Sequence, residues 1–299
     1  RDVLGSRGLG DVYKRQGDRY EMLVAATVAM IQRIPITHLY GGSITEGAID
    51  DSIRHCITKL SSLHFTSTEE FRRRVIQLGE RPDRVFYVGA IGIENLKQVS
   101  LMSREELEAS LGFKFNEHTV MATYHPVTRG NRSPQEEIDD FLAAIDAFPN
   151  LRVLFTMPNS DQGGDVIKQS IEHYCALRAD RCRSFTSLGM RRYLSALQHV
   201  SAVIGNSSSG LVEVPSVHIP TLNIGDRQKG RPHGLSVLDC GSDYGAIVAG
   251  LNTVLSPAFR HLARTAANPY EKANTAQSIF DVIRTYPLEQ LNQKSFYNL

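Results

Sequence analysis

The chain has 299 residues, enough for two domains, because single hydrophobic cores stop growing near about 250–300 residues. Its 33 basic and 32 acidic residues nearly cancel, which removes any global electrostatic argument for nucleic acid or an anionic membrane as a partner. No apolar run reaches the ~20 residues that span a bilayer, and no signal peptide is visible. Cys56, Cys175, Cys182 and Cys240 lack metal-type spacing, so free thiols in a cytoplasmic protein are expected.

Residues 1–16, RDVLGSRGLGDVYKRQ, show no sustained period and are read as a disordered leader. GDRYEMLVAATVAMIQR then predicts a helix with Met22, Ala25, Ala26, Ala29 and Met30 on one face. IPITHLYG reads as a short strand ending in the glycine-bearing loop GGSITEGAIDD, and DSIRHCITKLSSLHF as a helix leading to a strand. TSTEEFRRRVIQLG opens with a Thr-x-x-Glu capping signature at Thr66 and closes on Gly79. RVFYVGAIG is again strand and turn, followed by one polar helix through Leu111.

A second series begins near His118. TVMATYHPVT gives a strand ending in His-Pro, PQEEIDDFLAAIDAF a helix with Pro134 in its first turn, and LRVLFTMPNSDQGG a strand and polar turn. DVIKQSIEHYCALRA, RSFTSL, MRRYLSALQHV and SAVIGNSSSG continue the alternation. Strands alternating with helices predict parallel sheets with covered faces, hence an α/β chain of two doubly wound domains with a cleft between them. The expected domains are 17–115 and 116–280, with 281–299 as a C-terminal segment.

The most informative stretch is GNSSSGLVEVPSVHIPTLNIGDRQKGR, Gly205 to Arg231. A strand stopping in small residues with a helix behind it offers backbone N–H groups and hydroxyls to an anion, above all a phosphate. Arg227, Lys229 and Arg231 add permanent positive charge. Other polar groups also fall at strand ends, where ligands sit in such sheets: Asp18-Arg19, His38 to Asp51, His125 and Asn159. Each has an ordinary alternative. Asp18 can cap a helix, Asp50 and Asp51 suit a helix N-terminus, and His125 can be a surface histidine. The loop carrying His38, Glu46 and Asp50 has the groups that general acid–base catalysis needs. No HExxH, GxSxG or GxGxxG pattern occurs, so metal, acyl-transfer and dinucleotide chemistry lack their motifs.

GDRYE, HLYGGSITEGAIDDSIRHCITKLS, YHPVT, PNSDQG, IGNSSSGLVEVPS and NIGDRQKGR together resemble the hydrolysing UDP-N-acetylglucosamine 2-epimerases of sialic acid biosynthesis. The resemblance runs from Gly17 to the C-terminus. It implies the GT-B architecture, two Rossmann-like domains facing a cleft, here with an incomplete N-terminal domain. It implies elimination of UDP through 2-acetamidoglucal, then water addition to give N-acetylmannosamine, with no cofactor and no metal. Ser207, Ser208, Glu213, Arg227, His125, Asn159 and Arg19 would hold UDP, while Asp18, His38, Glu46 and Asp50 would serve acid–base chemistry. A homo-oligomer is expected from the same resemblance, with no nucleic acid or membrane partner.

Two departures stand out against the family. Ser43 occupies a position where many relatives carry glutamate, and Tyr40 one where they carry an acid or histidine, leaving Glu46 as the nearest carboxylate. The family's first strands are missing before GDR, so an inactive UDP-sugar-binding fragment is one alternative. The TEGA loop makes UDP-N,N'-diacetylbacillosamine an alternative substrate.

Overall fold

The computed structural model describes residues 20–46, 49–127, 132–158, 163–287, 290–291 and 293–299. The chain is α/β, and its strands pair in parallel in two sheets. It divides into two compact units, the first running up to Thr45 and including Ile49–Lys97 and Tyr270–Leu299, the second Glu46–Ala48 and Gln98–Pro269.

The first unit contains helix α1 (Tyr20–Ile31), strand β1 (Thr37–Leu39), α2 (Asp50–Leu60), β2 (Leu63–Thr66), α3 (Glu69–Gln77), β3 (Val85–Tyr87) and most of α4 (Ile91–Gln98). Its sheet has the order β1-β2-β3, with His38 opposite His64 and Phe65 opposite Phe86. Leu39, Leu63, Phe65 and Val88 form its apolar cluster together with Ile279. Ile279 belongs to the C-terminal helix α12 (Thr275–Thr285), so the unit is assembled from both ends of the chain.

Two local expectations are corrected here, and a third holds except at one residue. Thr68, not Thr66, caps α3: its hydroxyl accepts from the Phe71 N–H at 3.1 Å, and no glutamate closes a capping box there. The Thr66 hydroxyl instead donates to the Thr68 carbonyl, which holds the approach to the helix. The single polar helix through Leu111 is two helices, α4 and α5 (Arg104–Leu111), because Ser103 and Glu106 form a true capping box that starts a new one. On α1 only Ala26 and Ala29 are buried, while Val24, Val28, Met30 and Ile31 are exposed. Both buried residues lie on the face that the period selects, with Met22 and Ala25 half-buried beside them, and only Met30 departs from it.

The second unit holds β4 (Thr119–Thr123), α6 (Pro134–Asp146), β5 (Arg152–Thr156), α7 (Gly164–Leu177), β6 (Cys182–Phe185), α8 (Gly189–Leu197), β7 (Ala202–Gly205), the single turn α9 (Ser209–Val212), β8 (Thr221–Ile224) and β9 (Val237–Cys240). Helices α10 (Tyr244–Val254) and α11 (Pro257–Thr265) follow. The strand order is β6-β5-β4-β7-β8-β9. Burial tracks this order: every residue of β4, β7 and β8 is buried, whereas the edge strands β6 and β9 are partly exposed. Val120, Tyr124, Phe141, Phe155, Ile167 and Leu222 anchor one contiguous core beneath the helices. Each such side chain removed from water contributes about 1.5–3 kcal/mol.

Gly205 lets β7 lie flush against β4. Its φ is +127°, and a Cβ there would come 1.9 Å from the carbonyl oxygen of Thr123. Only glycine fits, and the strand ends facing the polar turn that follows.

Candidate nucleotide-sugar site

In the second unit β4 and β7 are central neighbours, and the strand order runs outward from them in opposite directions, to β5 and β6 on one side and β8 and β9 on the other. The crevice beyond the carboxyl ends at such a reversal is where open α/β sheets bind ligands. β4 leads into Tyr124-His125-Pro126, and β7 into Asn206-Ser207-Ser208-Ser209. The sequence motifs therefore meet at a position that topology selects.

Asn206 joins them. Its side-chain Oδ1 accepts from the His125 N–H at 2.7 Å and its Nδ2 donates to the His125 carbonyl at 2.8 Å. Its own carbonyl accepts from Gln228 Nε2 at 2.9 Å and from Arg227 Nη1 at 3.3 Å. One fully buried amide thus ties the end of β4, the turn after β7 and the GDRQ segment into one cluster. His125 is also buried, and that burial, followed by the charge of Arg227, pushes its pKa well below the ordinary imidazole value. A neutral ring beside a permanent cation can donate one hydrogen bond without adding charge.

Ser207 and Ser208 lie partly exposed at the start of α9, and Glu213 follows its last residue. The turn is fixed from below, where the Thr221 hydroxyl donates to the Gly210 carbonyl and Asn268 Nδ2 to the Val212 carbonyl, both at 2.8 Å. From α8 the Tyr193 hydroxyl is hydrogen-bonded to Ser209 Oγ. Behind His125, the fully buried Tyr124 hydroxyl has no hydrogen-bond partner among the described residues, nor does Oε2 of the buried Glu137. Burial, reinforced by Asp226 and Glu136 and opposed by Arg132, raises the Glu137 pKa to about 7.

His38 and Asp50 belong to the first unit. His38, in β1, is buried, and its Nδ1 lies 3.2 Å from the Thr58 hydroxyl, which is 3.1 Å from the Arg54 carbonyl. The hydroxyl has one proton, which it can give either to the Arg54 carbonyl or to the ring nitrogen, and the His38 tautomer follows that choice. Buried Arg54 binds the Ser43 carbonyl at 2.8 Å and the Thr45 hydroxyl at 3.1 Å, while Asp51 accepts from the Thr45 N–H at 2.7 Å. Asp50 sits half-buried in the first turn of α2, where a carboxylate complements the helix dipole. Tyr40 has φ +65°, and its hydroxyl accepts from the Gly92 N–H at 3.3 Å. Glu46 groups with the second unit: it is exposed, its N–H donates to the Lys229 carbonyl, and its carboxylate lies 4.0 Å from Lys229 Nζ. Asp18, Arg19 and Asn159 lie outside the described residues. Among the described residues no three His, Cys, Asp or Glu side chains gather where they could hold a metal ion, and no helix is long and apolar enough to cross a membrane.

Sequence reasoning had assigned no role to Asn206, Tyr193, Gln228, Arg54 or Thr58. A signal existed for the first: an asparagine directly after a wholly apolar strand must bury its amide, and a buried amide must find partners.

The profile of the UDP-N-acetylglucosamine 2-epimerase family matches residues 10–284. The chain belongs to that family. It is 39% identical over 285 residues to the polysialic acid biosynthesis protein P7 of Escherichia coli, covering 95% of this chain and 72% of that protein. To the GDP/UDP-N,N'-diacetylbacillosamine 2-epimerase (hydrolyzing) of Campylobacter jejuni it is 42% identical over 223 residues, 75% of this chain and 58% of the relative. Among solved structures, the UDP-GlcNAc 2-epimerase of Neisseria meningitidis bound to UDP-GlcNAc superposes with a TM-score of 0.76 at 16% identity, covering 90% of this chain and 74% of that one. The 2-epimerase family is thus supported by its sequence profile and curated relatives, and the α/β fold by the superposition.

Proposed function

We propose that this chain is a hydrolysing 2-epimerase that converts UDP-N-acetylglucosamine into free N-acetylmannosamine and UDP. The observation that carries the reading is the Asn206 cluster, which gathers His125, the serine turn and Arg227 at the strand-order reversal of a 2-epimerase-family chain. Ser207 and Ser208 hold the diphosphate and Glu213 the ribose hydroxyls, with Arg227, His125, Asn159 and Arg19 completing the nucleotide site. Asp18, His38, Glu46 and Asp50 are the acid–base candidates.

A base takes the proton from C2 of the sugar while the C1–oxygen bond to UDP breaks, in an anti elimination that gives 2-acetamidoglucal. Water then adds across the double bond in the other stereochemical sense, its hydroxyl to C1 and a proton to C2. The barrier to the first step falls when the charge developing on the departing diphosphate meets donors already in place. A neutral His125 and a permanently charged Arg227 are suited to that task. The reading places the enzyme in the cytoplasm as a homo-oligomer, whose mass sedimentation equilibrium would measure.

A second reading, the same reaction on UDP-N,N'-diacetylbacillosamine, is favoured by the 42% identity to the Campylobacter jejuni relative. Incubation with each nucleotide sugar in deuterated water, followed by proton NMR, tests both. Free N-acetylmannosamine deuterated at C2, with UDP released, supports the first reading, and turnover of the diacetylated sugar alone supports the second. UDP binding without turnover of either would replace both with a nucleotide-sugar-binding protein.

A further inference from the structure

The third serine of the turn has a partner that the family motif does not include. Tyr193 projects from α8, outside the GNSSSG stretch, and its hydroxyl is hydrogen-bonded to Ser209 Oγ. Either oxygen could donate. A protonated phenol has one proton to give, and Ser209 Oγ is an acceptor within reach of it. Burial, opposed by the Ser209 hydrogen bond and reinforced by the Glu213 carboxylate, raises the Tyr193 pKa, so the phenol is protonated throughout the physiological range. With the phenol as donor, Ser209 accepts from Tyr193 and keeps its own hydroxyl proton for a further partner.

We propose that Tyr193 is a positioning residue of the phosphate-binding turn, holding Ser209 in the rotamer that turns its hydroxyl proton toward the diphosphate of a bound nucleotide. The inference rests on the UDP reading of this site. It adds a donor, Ser209, to Ser207 and Ser208, and it makes α8 part of the nucleotide machinery. A serine free to rotate must lose side-chain entropy on meeting a phosphate, whereas one already fixed binds without that cost. The effect is confined to the phosphate end of the ligand, which separates it from a general packing role.

Calorimetric titration of the chain with UDP and with uridine tests this directly. Tyr193→Phe keeps the ring and removes the hydroxyl, and Ser209→Ala removes the donor. Each is expected to weaken UDP binding about 5-fold, as the loss of one hydrogen bond does, and to leave uridine binding unchanged. The double variant is expected to match Ser209→Ala alone, because the tyrosine acts only through that serine. UDP affinity unchanged in Tyr193→Phe, equal losses for UDP and uridine, or losses that multiply in the double variant would each overturn the proposal. If the unaltered chain bound no UDP, the nucleotide reading itself would fall and take this inference with it. UDP binding by the unaltered chain with no effect of Tyr193→Phe removes the inference alone.

Discussion

Replacing Asn206 by alanine is the perturbation whose size follows most directly from the geometry. The side chain satisfies both backbone groups of His125, at 2.7 and 2.8 Å, in a fully buried position. Alanine removes from that N–H and C=O the partner that the buried side chain supplies. An orphaned buried group costs about 1–3 kcal/mol, so two give roughly 2–6 kcal/mol of lost stability. The assay is urea unfolding, in which the midpoint should fall while the slope is preserved. Asn206→Asp sharpens the test. When protonated, the new carboxyl can still donate to the His125 carbonyl; when ionised, it sets a charge against that oxygen, with the nearby Arg227 in partial compensation. Burial raises the folded pKa of an acid, so its stability is retained at low pH and lost as pH rises through the folded value. The aspartate variant should approach the unaltered protein near pH 5 and fall below it by pH 8. A midpoint for Asn206→Ala within about 0.5 kcal/mol of the unaltered protein, or an aspartate variant indifferent to pH, would show that Asn206 does not carry the cluster.

Three further outcomes follow from the same structure. Gly205→Ala must place a Cβ 1.9 Å from the Thr123 carbonyl at φ +127°, so soluble yield or melting temperature should drop sharply, with a destabilisation above about 3 kcal/mol. Glu137, raised to about 7, favours folding while protonated, so stability should decline as pH climbs from near 4.5 to 7, by at most about 1.4 kcal/mol per unit. Glu137→Gln should abolish that slope in urea titrations at pH 5 and 8. In the first unit the signs run the other way. Burial lowers His64 to about 4 despite the nearby Glu80 carboxylate. Burial of Glu80 is outweighed by hydrogen bonds from His64, Lys59 and Lys294, which bring it to about 2. Stability from the pair should be present above about pH 6.5 and be lost in two stages on acidification, by histidine protonation toward pH 4 and then carboxylate protonation toward pH 2. Circular dichroism should show His64→Gln losing the first stage and keeping the second.

Much of this arrangement was legible before any coordinates. The alternation of apolar runs with helical periods gave β1 to β7 and most of the helices between them, though not β9 or α10 to α12, because wholly buried parallel strands such as TVMAT and AVIG leave an unmistakable apolar signature. The Ser133–Glu136 capping box and Pro134 at the start of α6 were local too, and Pro134 was read correctly. Strand order was not legible. Nothing in the chain between β4 and β7 says that they pair, since that choice is made by packing across some 80 residues. The same holds for Asn206, whose partner His125 lies 81 positions away, and for Tyr193, whose phenol reads locally as one more apolar residue of an amphipathic helix. Threonine capping failed for a different reason. Thr66 and Thr68 are equally good caps by type, and only the register of β2 against β3, which commits Thr66 to the strand, decides between them.

The way the chain's last residues are used bears on the order in which the protein can be made. Lys294 donates to the carbonyls of Lys59 and Ser61 and pairs with Glu80, Phe296 lies over Gly79, and the Tyr297 N–H donates to the Gly79 carbonyl. These contacts join positions more than 200 residues apart. The second unit is nearly continuous in sequence, so its sheet can close while the remainder of the chain is still being translated. The first unit has Lys59 and His64 for Glu80 from the start, but it cannot add Lys294 or complete its apolar cluster until residues 279–297 have emerged. Its early strands must therefore wait, exposed to chaperones and proteases, through the synthesis of the entire second unit. A slow codon or a stall anywhere between the codons for Tyr270 and Tyr297 would lengthen that exposure without altering a single amino acid.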